Sequence, residues 1–207
     1  MIRKSLCLLV LAGSPAAALA ADREISLELG TTGHDAEDNW FLFSGQDALP
    51  GFGARLGWPV HERVAVIAGW QHGARGTTVS PGDDGAGEFA AAYYADAWSA
   101  GAKADWGICR WFRPYATVQA VGQRAMVRLD DDTGEDDNPN QIQRSDFAVG
   151  GLAAGGLDFR VPFAQDRFAV ASYLELGYQL LTPSDFDELG SLQNRGLAFR
   201  WGLGFRF

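Results

Sequence analysis

The last eleven residues constrain this chain more than any other stretch. Leu197, Phe199, Trp201, Leu203, Phe205 and Phe207 share one parity, and Ala198, Arg200, Gly202, Gly204 and Arg206 share the other. Alternation with a period of two is the signature of a β-strand. Six large apolar side chains opposed by two arginines and two glycines fit a wall with hydrocarbon on one side and a polar interior on the other. A helix would scatter the same residues around its circumference.

Seven further segments carry the same pattern with varying clarity. They are Glu24–Gly33, Gly51–Trp58, Val64–His72, a stretch within Tyr93–Ile108, Tyr115–Leu129, Arg144–Arg160 and Phe168–Leu180, with Arg195–Phe207 as the eighth. In the fourth, Trp98, Ala100, Ala102, Ala104, Trp106 and Ile108 oppose Ser99, Gly101, Lys103, Asp105 and Gly107. The fifth breaks the rule: Gln119 and Gln123 fall on one parity, Arg124 and Arg128 on the other. Either a bulge shifts the register near Gly122 or the strand leaves the membrane there.

The links between segments alternate in length. Pro59–Arg63, Cys109–Pro114 and Val161–Arg167 are short, whereas His34–Pro50, Gly73–Ala92, Asp130–Gln143 and Pro183–Asn194 are long. Short turns on the periplasmic side and long loops outside are the rule for transmembrane barrels, and a soluble eight-stranded barrel has no reason to follow it. Aromatic residues gather at two levels. Trp58, Trp106, Trp111, Phe112, Tyr115, Phe159, Phe163 and Phe168 lie beside the short turns, and Trp40, Phe41, Phe43, Trp70, Tyr93, Tyr94, Phe147 and Tyr178 lie toward the other rim. Two girdles at the bilayer interfaces have this distribution. The expected fold is an all-β, eight-stranded antiparallel up-and-down transmembrane barrel.

The beginning of the chain reads as an export signal. Arg3 and Lys4 precede an apolar stretch, Leu6–Ala12, and Ala18-Leu19-Ala20 offers a small-residue cleavage site. The division expected is a signal peptide over residues 1–20 and a barrel domain over 21–207. Cys109 is then the only mature cysteine, which excludes an intramolecular disulfide. The formal charge of −9 disfavours nucleic acid as a partner.

Charged residues on the inward parity define the first candidate site: Glu28, Arg55, Lys103, Asp105, Asp158, Arg160, Glu175, Arg200 and Arg206. Eight strands enclose a lumen only just wide enough for its own side chains, so these groups are expected to pair into a plug. Glu175 with Arg200 is the preferred pair, with Lys103 as a competitor for the carboxylate. A second candidate is the acidic loop holding Asp130, Asp131, Asp132, Glu135, Asp136 and Asp137, whose hard oxygen ligands suit calcium or magnesium without matching EF-hand spacing. No metal or cofactor is assigned from either, and no catalytic residue. His34, His61 and His72 stand in no hydrolase motif, although a loop triad such as His72, Ser80 and Asp83 is sterically conceivable.

The closing alternation that stops at Phe207 resembles the C-terminal signature of bacterial outer-membrane β-barrels, which the assembly machinery reads. The chain as a whole resembles the OmpA-like, OmpX-like and OmpW-like group. That resemblance implies residence in the Gram-negative outer membrane as a monomer. Contact with outer-membrane lipid and lipopolysaccharide is expected with it, and the acidic loops suggest that divalent cations bridge them to lipopolysaccharide phosphates. No peptidoglycan-binding segment is expected after Phe207. The function expected is structural or surface interaction, against a narrow porin-like channel for small or hydrophobic solutes, or a lipid-modifying enzyme.

Overall fold

A computed structural model describes residues 23–33, 48–79, 89–109, 111–131, 142–163 and 167–207. The expected signal segment and the loop residues Trp40, Phe41 and Phe43 lie outside these. Eight strands close into an antiparallel barrel: β1 (Glu24–Gly33), β2 (Ala48–His61), β3 (Val64–Val79), β4 (Phe89–Asp105), β5 (Phe112–Asp131), β6 (Ile142–Phe163), β7 (Phe168–Leu181) and β10 (Arg195–Arg206). Each pairs with its neighbour in sequence among these eight, and β1 pairs with β10 to close the ring. Two short strands, β8 (Ser184–Asp185) and β9 (Ser191–Leu192), with a 3-10 turn at Asp187–Leu189 between them, lie in the link from β7 to β10.

The register fixes the shape. One row of paired residues runs from Leu157 through Leu174, Trp201, Leu29, Phe52, His72, Asp96 and Arg124, and re-enters β6 at Phe147, ten residues from its start. A stagger of that size in eight strands tilts them roughly 40° from the axis. Each step around the barrel therefore climbs roughly 3 Å, and each outward-facing position along a strand roughly 5 Å.

Alternation sorts side chains as the pattern requires. Leu27 is 71% exposed and Val118 68%, while Glu28 and Gln119 beside them are buried in the lumen. A wall of exposed leucine, phenylalanine, valine and tryptophan is stable only against hydrocarbon. No helix among the described residues is long and apolar enough to cross a membrane; the crossing elements are strands. Phe52, Trp70, Trp98, Tyr178 and Phe199 form the upper aromatic belt, and Trp58, Trp106, Phe159 and Phe205 the lower, all facing outward.

β3 to β6 are longer than a bilayer requires. They run 16, 17, 20 and 22 residues against the roughly 9 to 11 that span one. Their upper ends stand beyond the aromatic belt as a four-stranded sheet, and the segment from β8 to β9 folds against its inner face. Phe186, Leu189 and Leu192 pack there with Leu49, Tyr93, Ala125 and Val127 into an apolar cluster. Asn194 ties the segment down, donating to the Ser184 hydroxyl at 2.7 Å and the Thr182 carbonyl at 3.1 Å, and accepting from Gln123.

This cap corrects several expectations. Gly73–Val79, Phe89–Ala92, Asp130–Asp131 and Ile142–Gln143 are strand rather than loop. The stretch expected as the Pro183–Asn194 loop is a folded lid. Tyr93 belongs to the cap core instead of a girdle. β5 pairs without a register break on both sides, so Gly122 carries no bulge. The opposed parities of Gln123 and Arg124 arise because the strand leaves the hydrocarbon. Once water is outside, arginine faces outward, and the inward face turns apolar with Ala125 and Val127.

Candidate functional site

The polar groups of the lumen sit in two layers below the cap. In the upper layer the Arg55 guanidinium from β2 meets two carboxylates. Its Nε lies 2.6 Å from Glu28 Oε1, and its terminal nitrogens donate to Glu175, Nη1 to Oε2 at 2.9 Å and Nη2 to Oε1 at 3.0 Å. Arg200 adds a longer contact, Nη1 to Glu175 Oε1 at 3.6 Å. Two tyrosine hydroxyls complete the carboxylates: Tyr115 donates to Glu175 Oε2 at 3.2 Å, and Tyr173 donates to Glu28. The Tyr173 ring also lies beneath Arg55, 4.9 Å from guanidinium carbon to centroid.

The lower layer gathers around Asp158. Lys103 Nζ and Arg160 Nη2 each lie 3.2 Å from its Oδ2, and Arg206 Nη2 lies 2.5 Å away. Glu24 shares Arg206 at 2.5 Å and Lys103 at 3.8 Å. Toward the mouth at the short links Asp105 takes Arg113 at 3.3 Å and Arg160 at 3.7 Å. Lys103 Nζ lies over the Tyr115 ring, 4.2 Å from its centroid.

All nine lumen residues expected from the sequence therefore point inward, and they divide into two groups. Glu28, Arg55, Glu175 and Arg200 meet in the upper layer; Lys103, Asp105, Asp158, Arg160 and Arg206 meet in the lower. Glu175 does contact Arg200, its directly paired residue, but its bidentate partner is Arg55 from another wall. Lys103 binds Asp158 and Glu24 rather than Glu175. Glu24, Arg113 and Tyr115 were missing from the sequence-derived set. Tyr115 was expected in the lower girdle, yet only 3% of it is exposed. Its parity, shared with Gln119 and Gln123, was the available signal.

The other candidates come out differently. Asp130 is the outward-facing partner of Arg128 at 2.8 Å, and Asp131 ends β5. Asp132, Glu135, Asp136 and Asp137 lie outside the described residues. Among the described residues no group of three His, Cys, Asp or Glu side chains is placed to hold a metal ion. His34, Ser80 and Asp83 also lie outside the description. His72 faces outward, its Nδ1 2.9 Å from Asp96 Oδ1, with its ring against Phe52 and Trp70. Asp96 had not been singled out.

A closed antiparallel barrel, apolar outside and charge-paired within, defines a β-barrel of the transmembrane type. No family model matches the sequence, and no curated protein matches it either. Solved structures similar to it include Ail, the attachment invasion locus protein of Yersinia pestis, at 16% identity over 90% of this chain and 97% of that one, TM-score 0.47. The N-terminal β-barrel domain of Pseudomonas aeruginosa OprF is similar at 14% identity over 90% and 99%, TM-score 0.44. Neisserial surface protein A is similar at 11% identity over 90% and 96%, TM-score 0.45.

Proposed function

We propose that the protein is a monomeric outer-membrane barrel with a structural and surface-interaction role, presenting its capped outer sheet and acidic loops to the environment. The observation that carries this reading is the filled lumen. Two layers of interlocked ion pairs lie beneath an apolar lid, and among the described residues seven of the eight barrel strands, all but β3, contribute a side chain to one or the other. An eight-stranded barrel has room for such a filling and little more. The lumen charges then serve to hold the walls together, because each buried charge is stable only with its partner.

Residence in the outer membrane, export by the N-terminal segment and delivery through the closing strand at Phe207 belong to the same proposal. The apolar outer wall, the aromatic belts and the strand count support it. Lipopolysaccharide is the partner expected at the outer rim. A hydrolytic role is disfavoured: His72 and Asp96 make the base and orienting carboxylate of a triad, but the outward positions flanking His72 are Phe52, Trp70 and Ala74, which offer no serine, threonine or cysteine. Acyl transfer would need a nucleophile there.

Planar-bilayer recording on the folded protein tests the reading. Well-folded protein, identified by its heat-dependent gel mobility, is expected to be electrically silent. Steady conductance that disappears on thermal unfolding would replace this role with that of a narrow channel.

A further inference from the structure

The outer wall is not uniform. Around β10 and β1 it presents leucine, phenylalanine and tryptophan, whereas the seam between β5 and β6 is a shallow trough. Its floor is made by the paired residues Ala116 and Gly155, Val118 and Ala153, and Ala120 and Gly151. At the top of that trough, the next outward residue of β5 above Gly122 is Arg124, an exposed cation. Its cross-strand neighbour Asp96 is held by His72, and Arg124 enters no ion pair among the described residues. Arg128, farther out on the same face, is already paired with Asp130.

Depth makes the position informative. Trp98 lies opposite Gly122, so Arg124, one step around the barrel and one outward position higher, leaves the wall roughly 8 Å above an indole of the upper belt. Tryptophan rings mark the boundary of the hydrocarbon. A guanidinium just beyond them stands at the level of lipid phosphate, for which its planar fork of donors is suited.

We infer that the β4–β6 face is a binding site for the phosphorylated, multiply acylated disaccharide lipid that anchors lipopolysaccharide. Its phosphate sits on Arg124 and its acyl chains in the trough. Asp96, part-exposed and oriented by His72, accepts from a hydroxyl or amide N–H of the sugar. Small side chains let several acyl chains approach the wall closely, which increases their dispersion contacts. Arg124 is on the outward end of the barrel, the leaflet that carries this lipid. The inference rests on the outer-membrane placement proposed above, and it names the wall, the residues and the headgroup chemistry.

Native mass spectrometry on protein extracted from membranes tests it, with three added probes: diphosphoryl lipid A, the same lipid dephosphorylated, and phosphatidylglycerol. Diphosphoryl lipid A is expected to be retained about tenfold more strongly than the other two, the scale of one charge-assisted hydrogen-bonded contact. Arg124→Gln is expected to remove that preference, and Arg128→Gln to leave it intact. Equal retention of the three lipids by the unaltered protein, or an unchanged preference in Arg124→Gln, would overturn the site. Should Arg124→Gln fail to fold, the comparison of lipids on the unaltered protein decides alone. Failure of the outer-membrane placement itself would show separately, as fractionation away from the outer membrane.

Discussion

Arg55 on β2 clamps Glu175 on β7 through two parallel hydrogen bonds of 2.9 and 3.0 Å, although Arg200 is the residue directly paired with Glu175 in the sheet. The reason is geometric. Neighbours on adjacent strands project side by side, so Arg200 approaches the carboxylate obliquely at 3.6 Å. An arginine reaching across the lumen meets it head-on, which the fork geometry of a bidentate pair requires.

This geometry sets what Glu175→Gln will do. The substitution leaves Arg55 and Arg200 sharing only Glu28 as a carboxylate in the upper layer. Loss of about 3 to 5 kcal/mol of stability is expected, the cost of stranding a buried charge. Urea unfolding in detergent, followed by tryptophan fluorescence, measures it. The paired substitution Arg55→Met with Glu175→Leu should cost less than Glu175→Gln alone; a larger cost would mean that the ion pair contributes net stability.

A glycine gives a second, sharper test. A Cβ on Gly202 would lie 2.2 Å from Tyr173 Cζ and 2.5 Å from its hydroxyl oxygen. Gly202→Ala must therefore displace the ring that stacks on Arg55 and donates to Glu28, at about 1 to 3 kcal/mol. Gly155 faces outward, and the nearest atom to an added Cβ is 3.9 Å away. Gly155→Ala is expected to leave the unfolding midpoint within error, so equal effects at the two positions would contradict the inward orientation of Gly202.

The contrast between Gly202 and Gly155 was legible in the sequence, because parity alone assigns a residue to lumen or lipid. Parity could not say where a strand crosses from hydrocarbon into water. Along β5, Gln119 and Gln123 are inward and polar, then Ala125 and Val127 are inward and apolar, with no change of register. The environment reverses while the backbone continues, and on the page that reversal is indistinguishable from a bulge. The cap was hidden for a related reason. Phe186, Leu189 and Leu192 are spaced too irregularly for a periodic element, and they become a core only against Tyr93 and Val127, far away in sequence. Partners within the lumen were hidden likewise, because a ring of eight strands offers each carboxylate cations from several walls.

Loosening the cap should be local. Phe186 is 1% exposed and meets Tyr93 edge to face, with ring centroids 6.5 Å apart. Phe186→Ala deletes the largest side chain that the lid contributes, at about 3 to 5 kcal/mol if the gap does not collapse. Hydrogen exchange is expected to accelerate in residues 184–192 and in Ala91–Ala95, with Leu27–Leu29 and Phe199–Phe205 unchanged. Uniform acceleration would mean that lid and barrel unfold together. Conductance should remain absent, because both charge layers lie below the lid.

Orientation is open to chemical labelling through Cys109, an exposed thiol in the link between β4 and β5. That link is one of the short ones, flanked by Trp106 of the lower belt and carrying the exposed Trp111. If the short links face the periplasm, a membrane-impermeant maleimide cannot reach Cys109 in intact cells and will label it once the outer membrane is permeabilised. Gln143 stands exposed on the part of β6 above the upper belt, opposite Arg128. In a Cys109→Ser background, Gln143→Cys is expected to label fully in intact cells. The reverse pattern would invert the barrel, turning the capped sheet and Arg124 toward the periplasm and removing the lipid A site with them.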